Sequence, residues 1–154
     1  MTENYILTVT GSQTVDDKQD KVELQTSAAY VLKNGIRYIT YNEYDASDPE
    51  KTFRTTVKVD PEGVVTVIKG GDFSHHLILE KNKRYKFQYN TPYGALALGI
   101  YTEKIRIDLD DQGGEVYVKY TIDADAQLIS TNELSLKIKE ANNNDNSSKD
   151  SQCS

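Results

Sequence analysis

The sequence predicts an all-β protein, a mostly antiparallel barrel of about ten strands. Apolar and polar residues alternate with a period of two along most of the chain, and helical periodicity is nearly absent. Tight-turn signals separate the alternating stretches. Asn34-Gly35 is the strongest of these signals, because both residue types tolerate positive φ. One long stretch, Ala95–Leu109, also changes the face of its aliphatic residues, as a strand does when it bends within a barrel.

Alternation and turn signals together define the predicted strands. Their bounds are Tyr5–Gln13, Lys21–Lys33, Ile36–Tyr44, Thr52–Asp60, Val64–Lys69, Phe73–Glu80, Tyr85–Thr91, Ala95–Leu109, Glu115–Asp123 and Ser130–Glu140. Pro61 and Gly63 predict a turn after the fourth strand, and Gly113-Gly114 predicts another with positive φ. The residues between Asp123 and Ser130 suit either a short helix or a loop. Short strands joined by tight turns are typical of a barrel or a sandwich.

The stretch Ala95–Leu109 contains two sets of aliphatic residues at positions of opposite parity. The first set is Leu96, Leu98 and Ile100, and the second is Ile105, Ile107 and Leu109. On a straight strand the two sets would face opposite sides of the sheet. We therefore predict a bulge or a bend between Ile100 and Ile105, starting at Gly99.

Length and composition predict one domain over residues 1–140, followed by a disordered polar tail over residues 141–154. The formal net charge of −6 argues against a nucleic-acid partner, since such proteins usually carry a basic patch. The sequence has no run of apolar residues long enough for a membrane span and no secretory signal. The single cysteine, Cys153, cannot form an internal disulfide, so we expect a cytoplasmic protein.

Five segments of the chain are similar to a known protein family. They are Tyr38–Glu43, Leu79–Arg84, Tyr89–Gly94 with its Thr-Pro-Tyr-Gly turn, Gly99–Thr102, and Glu133–Ile138. Together they resemble the YwiB-like proteins of low-GC Gram-positive bacteria over roughly Tyr5 to Glu140. The resemblance implies a calycin-like β-barrel, of the shape seen in lipocalins and fatty-acid-binding proteins. It implies no activity, cofactor or catalytic residue, because the family is uncharacterised.

The eleven tyrosines indicate where a ligand would sit, because tyrosine combines an apolar ring with a polar end and suits a half-wet cavity. Tyr41 and Glu43 share a face with Ile39, and Tyr89 shares a face with Phe87. We therefore predict a small, partly apolar ligand in the mouth of the barrel. Its predicted lining is Tyr41, Glu43, Thr55, His75, Tyr89, Thr91 and Tyr101. The candidate partners of Glu43, or of an anionic ligand, are Arg37, Arg54 and Arg84.

Two other functions remain open at this stage. In the first, the rings fill the barrel and the protein is an interaction module that docks a protein partner on its acidic outer face or on an edge. In the second, Glu43 or His75 serves as the acid–base group of an enzyme, although no second catalytic residue follows from the spacing. No metal site is predicted, because the adjacent His75 and His76 point to opposite faces of a strand.

Overall fold

The computed structural model describes residues 4–44, 48, 50–71, 74–125 and 127–141. These residues form ten antiparallel strands, which confirms the predicted all-β class. The strands are β1 (Tyr5–Val15), β2 (Lys18–Lys33), β3 (Ile36–Tyr44), β4 (Thr52–Val59), β5 (Val65–Lys69), β6 (His75–Leu79), β7 (Arg84–Thr91), β8 (Gly94–Asp110), β9 (Gly113–Ala124) and β10 (Gln127–Glu140). Among the described residues, no helix has the length and apolar character needed to cross a bilayer.

The strands form one sheet in the order β6-β5-β4-β3-β2-β1-β10-β9-β8-β7. The sheet curls into a nearly closed barrel, so that β6 and β7 face each other across a seam. The β6–β7 connection closes one end of this seam, because the Asn82 amide donates to the Thr102 carbonyl at 2.8 Å. Nearer the other end, Asn90 Nδ2 donates to the Ser74 carbonyl at 3.3 Å. The described strand pairs include no ladder between β6 and β7, so isolated hydrogen bonds and side-chain packing close the seam.

The predicted irregularity in the long strand is confirmed. The pairing of β8 with β9 shifts register between Thr102 and Lys104, so Ile100 and Ile105 both face the interior. The expectation that Gly99 starts the bend is wrong. Gly99 instead makes room for Arg84, whose guanidinium group would overlap any Cβ atom at position 99.

The turns combine confirmed and missed predictions. Asn34 and Gly35 have φ values of 54° and 80° and join β2 to β3 in a tight turn, as predicted. The turn at Asp16-Asp17, with φ values of 49° and 64°, was missed, so β1 and β2 are longer than predicted. Between β9 and β10 the chain makes a hairpin at Asp125 rather than a helix.

Strand direction gives the barrel two different ends. The closed end carries the β2–β3, β4–β5, β6–β7 and β8–β9 turns, together with Tyr5 and Glu140. The open end carries the β1–β2, β7–β8 and β9–β10 turns and the β3–β4 and β5–β6 connections. The half of the barrel next to the closed end is filled by buried residues that include Leu7, Tyr30, Val59, Val65, Val116, Leu136 and Ile138.

Tyr30 and Arg37 seal the closed end by hydrogen bonding to the β8–β9 turn. The Tyr30 hydroxyl donates to the Asp110 carbonyl at 2.6 Å, and Arg37 Nη1 donates to the same oxygen at 3.2 Å. Arg37 also pairs with the Asp111 carboxylate at 3.3 Å. The Tyr5 ring packs edge-on against Tyr30, with 5.2 Å between ring centroids. The predicted tail lies outside the described residues, apart from Ala141, whose amide donates to the Asn4 carbonyl.

Candidate functional site

A cavity of about 470 Å³ occupies the half of the barrel next to the open end. This volume lies in the range of small-molecule sites. The lining is mostly apolar and is completed by a few polar side chains. The lining residues are Val9, Gly11, Gln13, Val22, Tyr41, Glu43, Val57, Val67, Lys69, His75, Leu77, Leu79, Phe87, Tyr89, Leu98, Tyr120, Ile122, Ile129, Ser130, Asn132 and Leu134. Val22, Ile129 and Tyr89 are exposed and lie toward the open end, so the cavity meets solvent there.

One wall of the cavity carries a row of polar residues on four neighbouring strands. Strand register places Tyr41 opposite Thr55, Thr55 opposite Lys69, and Lys69 opposite His75. Residues directly opposite one another in antiparallel strands share a face of the sheet, so all four side chains point inward. The next inward row toward the closed end is apolar, and consists of Ile39, Val57, Val67 and Leu77.

Glu43 carries the negative charge of the site, and Lys69 carries the positive charge. Lys69 Nζ lies 3.5 Å from Glu43 Oε2, and the Thr55 hydroxyl donates to the same oxygen at 2.5 Å. The Glu43 side chain is 22% exposed and that of Lys69 is 33% exposed, so both charges are partly removed from water. Thr55 is fully buried, and its bond to Glu43 satisfies a hydroxyl that would otherwise be costly to bury.

Tyr41 lies two residues before Glu43 and is almost fully buried. Burial raises the pKa of its hydroxyl well above the usual range, and the neighbouring Glu43 carboxylate raises it further. A buried phenol next to a carboxylate stays protonated, because ionisation would place two negative charges in a poorly hydrated region. Tyr41 therefore presents a neutral hydroxyl group in the wall of the cavity.

A second polar row lines the opposite wall. Gln13 pairs with Asn132, and Asn132 pairs with Tyr120, on strands β1, β10 and β9. Asn132 Nδ2 donates to the Ser130 hydroxyl at 3.0 Å. Burial raises the pKa of Tyr120 to about 12. The cavity therefore has hydrogen-bonding groups on two walls, with apolar surface between them and the closed end.

Aromatic rings border the cavity along the seam between β6 and β7. The His75 ring packs edge-on against Tyr89, with 5.4 Å between centroids, and lies 6.4 Å from the Phe87 centroid. His75, Phe87 and Lys69 also line an outer recess on the far side of the seam. The cavity and the outer surface are therefore separated at this point by side chains alone.

Most of the predicted lining residues come together, and two do not. Tyr41, Glu43, His75 and Tyr89 line the cavity, and Thr55 supports it through its hydrogen bond to Glu43. Thr91 instead caps the β7–β8 turn, where its hydroxyl donates to the Gly94 carbonyl at 2.7 Å. The Tyr101 hydroxyl donates to Asn82 Oδ1 at 3.4 Å, away from the cavity, because residue 101 faces outward between Ile100 and Thr102.

The predicted partners of Glu43 were wrong. Arg37 binds the β8–β9 turn, Arg54 lies on the outward face opposite Asn42, and Arg84 pairs with Asp123 at 2.6 Å. Sequence reasoning missed Lys69, which is the actual partner. Its position at a strand end hid its direction, and only the β4–β5 register shows that it faces inward with Thr55.

Tyr120 and Asn132 were also missed as lining residues. Alternation with Val116 and Val118 could have identified Tyr120, because the three residues share a face of β9. The described residues contain no cluster of three or more potential metal ligands. Chemically, the cavity can hold an apolar body and offer hydrogen bonds to it from both polar rows.

The fold and the cavity define the class of this protein: a nearly closed, ten-stranded antiparallel β-barrel with a cavity that opens at one end. Residues 7–136 match the model of a protein family described as a domain of unknown function, DUF1934. Because this match covers most of the chain, the protein belongs to that family, and the resemblance to YwiB-like proteins is confirmed.

Two comparisons agree with this assignment. The chain is 30% identical over 105 residues to the uncharacterized β-barrel protein YwiB of Bacillus subtilis (strain 168). The aligned region covers 68% of this chain and 71% of that protein. The crystal structure of the YwiB protein from Bacillus subtilis superposes with a TM-score of 0.78 at 21% identity, and covers 90% of this chain and 92% of that one. The second comparison supports the fold alone. The finer likeness to calycins and lipocalins stays a prediction.

Proposed function

We propose that this protein binds a small, partly apolar ligand in the cavity at the open end of the barrel. The observation that carries the proposal is a cavity of about 470 Å³ whose mainly apolar lining includes the close ion pair Glu43–Lys69. Ligand sites typically combine apolar walls with a few convergent polar groups. A charged pair on an inward face is costly in a filled core, so its presence supports a site that is at least partly wet.

The rim of the open end supports the same proposal. Apolar side chains on the hairpins around the cavity mouth are unusually exposed: Val22 is 71% exposed and Tyr93 is 99% exposed. Leu96 and Leu128 are exposed on the same end. Clusters of exposed apolar residues often mark ligand or protein contacts. In this protein the exposed apolar residues surround the mouth of the cavity, where the apolar part of an entering ligand would first leave water.

The other two candidate functions receive less support. A barrel filled by its own side chains was the premise of the interaction module, and half of this barrel is hollow. A protein partner on the acidic outer face stays a prediction. The described contacts of Glu43 are a threonine hydroxyl and a lysine ammonium group, and these contacts do not make a pair of catalytic acid and base. An acid–base activity of Glu43 or His75 therefore also stays a prediction.

We place the binding activity in the cytoplasm, because the single cysteine of the chain, Cys153, allows no internal disulfide. The net charge of −6 further disfavours nucleic acid as the ligand. The proposed ligand is therefore a small molecule met inside the cell.

Two neighbouring residues of β1 provide the test. Gly11 lines the cavity, and the nearest atom to a Cβ at this position would be Val22 Cγ2 at 3.5 Å, an ordinary contact distance. Gly11→Phe therefore projects a ring into the cavity. Ser12→Phe is the matched control, because Ser12 lines a recess on the outer face of the same strand.

Native mass spectrometry of protein purified from its own cells should detect a retained small molecule on the native protein and on Ser12→Phe. The Gly11→Phe protein should lose it, and should also lose binding of the apolar dye nile red. Circular dichroism checks that both variants are folded. A native protein that carries no small molecule and does not bind the dye would refute the proposal, as would equal binding by the two variants.

A further inference from the structure

We propose that the ligand is an uncharged amphipathic molecule whose hydroxyl or primary amide head docks at Glu43 and Lys69. This inference rests on the proposed function, since it concerns the chemical class of the ligand in the same cavity. Three features carry the inference: the Glu43–Lys69 ion pair, the row of hydrogen-bonding groups beside it and the apolar surface beneath it.

The charges of the described lining residues cancel. Glu43 and Lys69 are the carboxylate and ammonium groups among those residues, and their nearest charged atoms are 3.5 Å apart. Tyr41 and Tyr120 are phenols whose pKa values are raised by burial, so both are neutral at physiological pH. His75 adds an imidazole at the seam. A ligand that enters this site therefore meets a balanced pair rather than an excess of one sign.

A charged head would disturb that balance. A carboxylate that approached Lys69 would lie within a few ångströms of Glu43, and an ammonium group that approached Glu43 would lie equally close to Lys69. In either case a like charge is added to a partly desolvated pair, which costs more than the same approach in water. Both charged classes of head are therefore disfavoured.

A neutral head that both donates and accepts suits the pair. Both described contacts of the Glu43 carboxylate use Oε2, which leaves Oε1 as an acceptor for a hydroxyl or amide proton. The Lys69 ammonium group has three donors and a single described ion-pair contact, so it can donate to the oxygen of the same head. Hydrogen bonds to charged groups are stronger than those between neutral groups, which favours a head that uses both.

The apolar body of the ligand would lie against the row beneath. Val57, Val67 and Leu77 form the neighbouring inward row, and Phe87 and Leu98 continue the apolar surface beyond the seam. A linear or ring-shaped hydrocarbon would gain from leaving water in proportion to the apolar area that it buries.

A matched series of eight-carbon compounds tests the charge preference. Octanol, octanamide, octanoate and octylamine share one apolar chain and differ in the charge of the head. Each is titrated against nile red bound to the full-length protein at pH 8, where the carboxyl head of octanoate is anionic and the amine head of octylamine is cationic. We expect octanol and octanamide to displace the dye at concentrations about tenfold lower than octanoate and octylamine, the size of a modest like-charge penalty.

Substitutions in the ion pair should switch this preference. Lys69→Met leaves the Glu43 carboxylate alone, so octylamine should become the best competitor. Glu43→Gln leaves the Lys69 ammonium group alone, so octanoate should become the best competitor. The double variant is neutral again and should restore the preference for octanol and octanamide. This internal reversal separates a change of charge from a loss of fold.

The outer face offers matched controls. Lys137 and Glu115 form an exposed ion pair at 3.7 Å on the outside of the barrel. Lys137→Met and Glu115→Gln make the same chemical changes far from the cavity and should leave the order of competitors unchanged. Thermal unfolding of every variant verifies that it is folded at the assay temperature.

The outcomes distinguish the two proposals. If the native protein retains no small molecule and does not bind nile red, the proposed function fails and the charge preference fails with it. If the native protein binds the dye but no compound displaces it, the binding function stands and the inference about the head group is overturned. If the native protein binds the dye but prefers octanoate or octylamine, the binding function stands and the neutral class is wrong. If the native preference is neutral but the single variants do not switch it, the ion pair does not set the preference and this inference is overturned.

Discussion

The two halves of this barrel are built from the same strands and differ in what their inward side chains do. In the half next to the closed end, Leu7, Val116 and Leu136 pack together and are essentially inaccessible to solvent. In the half next to the open end, the inward positions of β1 and β10 include Gly11, Gln13, Ser130 and Asn132, which are small or polar. The same backbone ladder therefore encloses a packed core at one end and a cavity at the other.

The difference shows that side-chain size decides whether a barrel of this width is filled. Strand pairing alone leaves an interior that large apolar side chains can occupy. Where glycine and serine replace them, no neighbour is long enough to fill the space. The seal at the closed end adds to the contrast, since Tyr30 and Arg37 hydrogen bond to the β8–β9 turn, whereas the turns at the open end carry exposed Tyr93 and Leu128.

The largest effect should come from a pair of glycines at the two ends. A Cβ atom on Gly114, near the closed end, would overlap the Asp108 carbonyl oxygen, and its φ is +135°. Gly94, in the open-end turn, has φ +118° but faces open space. Gly114→Ala should therefore lower the free energy of unfolding by more than about 3 kcal/mol, and Gly94→Val by about 1 to 2 kcal/mol from backbone strain alone.

Urea denaturation of both glycine variants measures this difference. An unchanged midpoint for Gly94→Val would show that the turn at residue 94 does not require glycine. Equal losses for the two variants would show that the closed end is no more tightly packed around its turns than the open end.

The next largest loss of stability should come from truncating a buried leucine, and a leucine of the cavity wall provides the comparison. Leu136 is buried in the filled half, and Leu98 lines the cavity. Leu136→Ala should cost about 3 kcal/mol, because it removes packed atoms and leaves a new void. Leu98→Ala should cost about 1 kcal/mol, because part of its side chain already faces empty or hydrated space. Chemical denaturation gives both values, and a larger loss for Leu98→Ala would contradict a hollow open half.

Alkaline pH should reveal the partly buried phenol of Tyr120 in the open half. Burial raises the pKa of Tyr120 to about 12, whereas the unfolded chain has a pKa near 10. Above pH 10 the unfolded state loses the proton first, so the free energy of unfolding falls between about pH 10 and pH 12. At pH 11 this loss should reach about 1 kcal/mol for Tyr120.

Tyr120→Phe removes that titration and supplies the control. The variant should lose less stability than the native protein when urea denaturation is repeated at pH 8 and pH 11. An identical pH dependence in the two proteins would mean that Tyr120 ionises as freely in the folded state as in the unfolded chain.

The smallest effect concerns the tail. Residues 142–154 contain no apolar anchor, and the closed end beside Ala141 is sealed by Tyr5, Tyr30 and Arg37. Truncation after Ala141 should shift the melting temperature by less than about 2 °C, which is small beside the several degrees that one kcal/mol produces in a domain of this size. Differential scanning calorimetry measures the shift, and a larger one would show that the tail contributes to the closed end.

The sequence by itself determined the class, the approximate strands and the reversal of face in β8. These features depend on local chemistry: alternation sets the face of each residue, and Asn34-Gly35 sets a tight turn. The same alternation correctly predicted that Tyr41, Glu43, His75 and Tyr89 point inward. The turn at Asp16-Asp17 was missed because aspartate at positive φ is a weaker signal than glycine.

Only the tertiary structure decided which inward residues meet. Lys69 pairs with Glu43 because the register of three strands places Tyr41, Thr55 and Lys69 side by side, and register depends on contacts distant in sequence. Thr91 and Tyr101 lie outside the cavity for local reasons instead, since Thr91 caps the β7–β8 turn and Tyr101 alternates with the inward Ile100. The cavity itself is also a tertiary property, because it depends on which small side chains the closing of the barrel brings together.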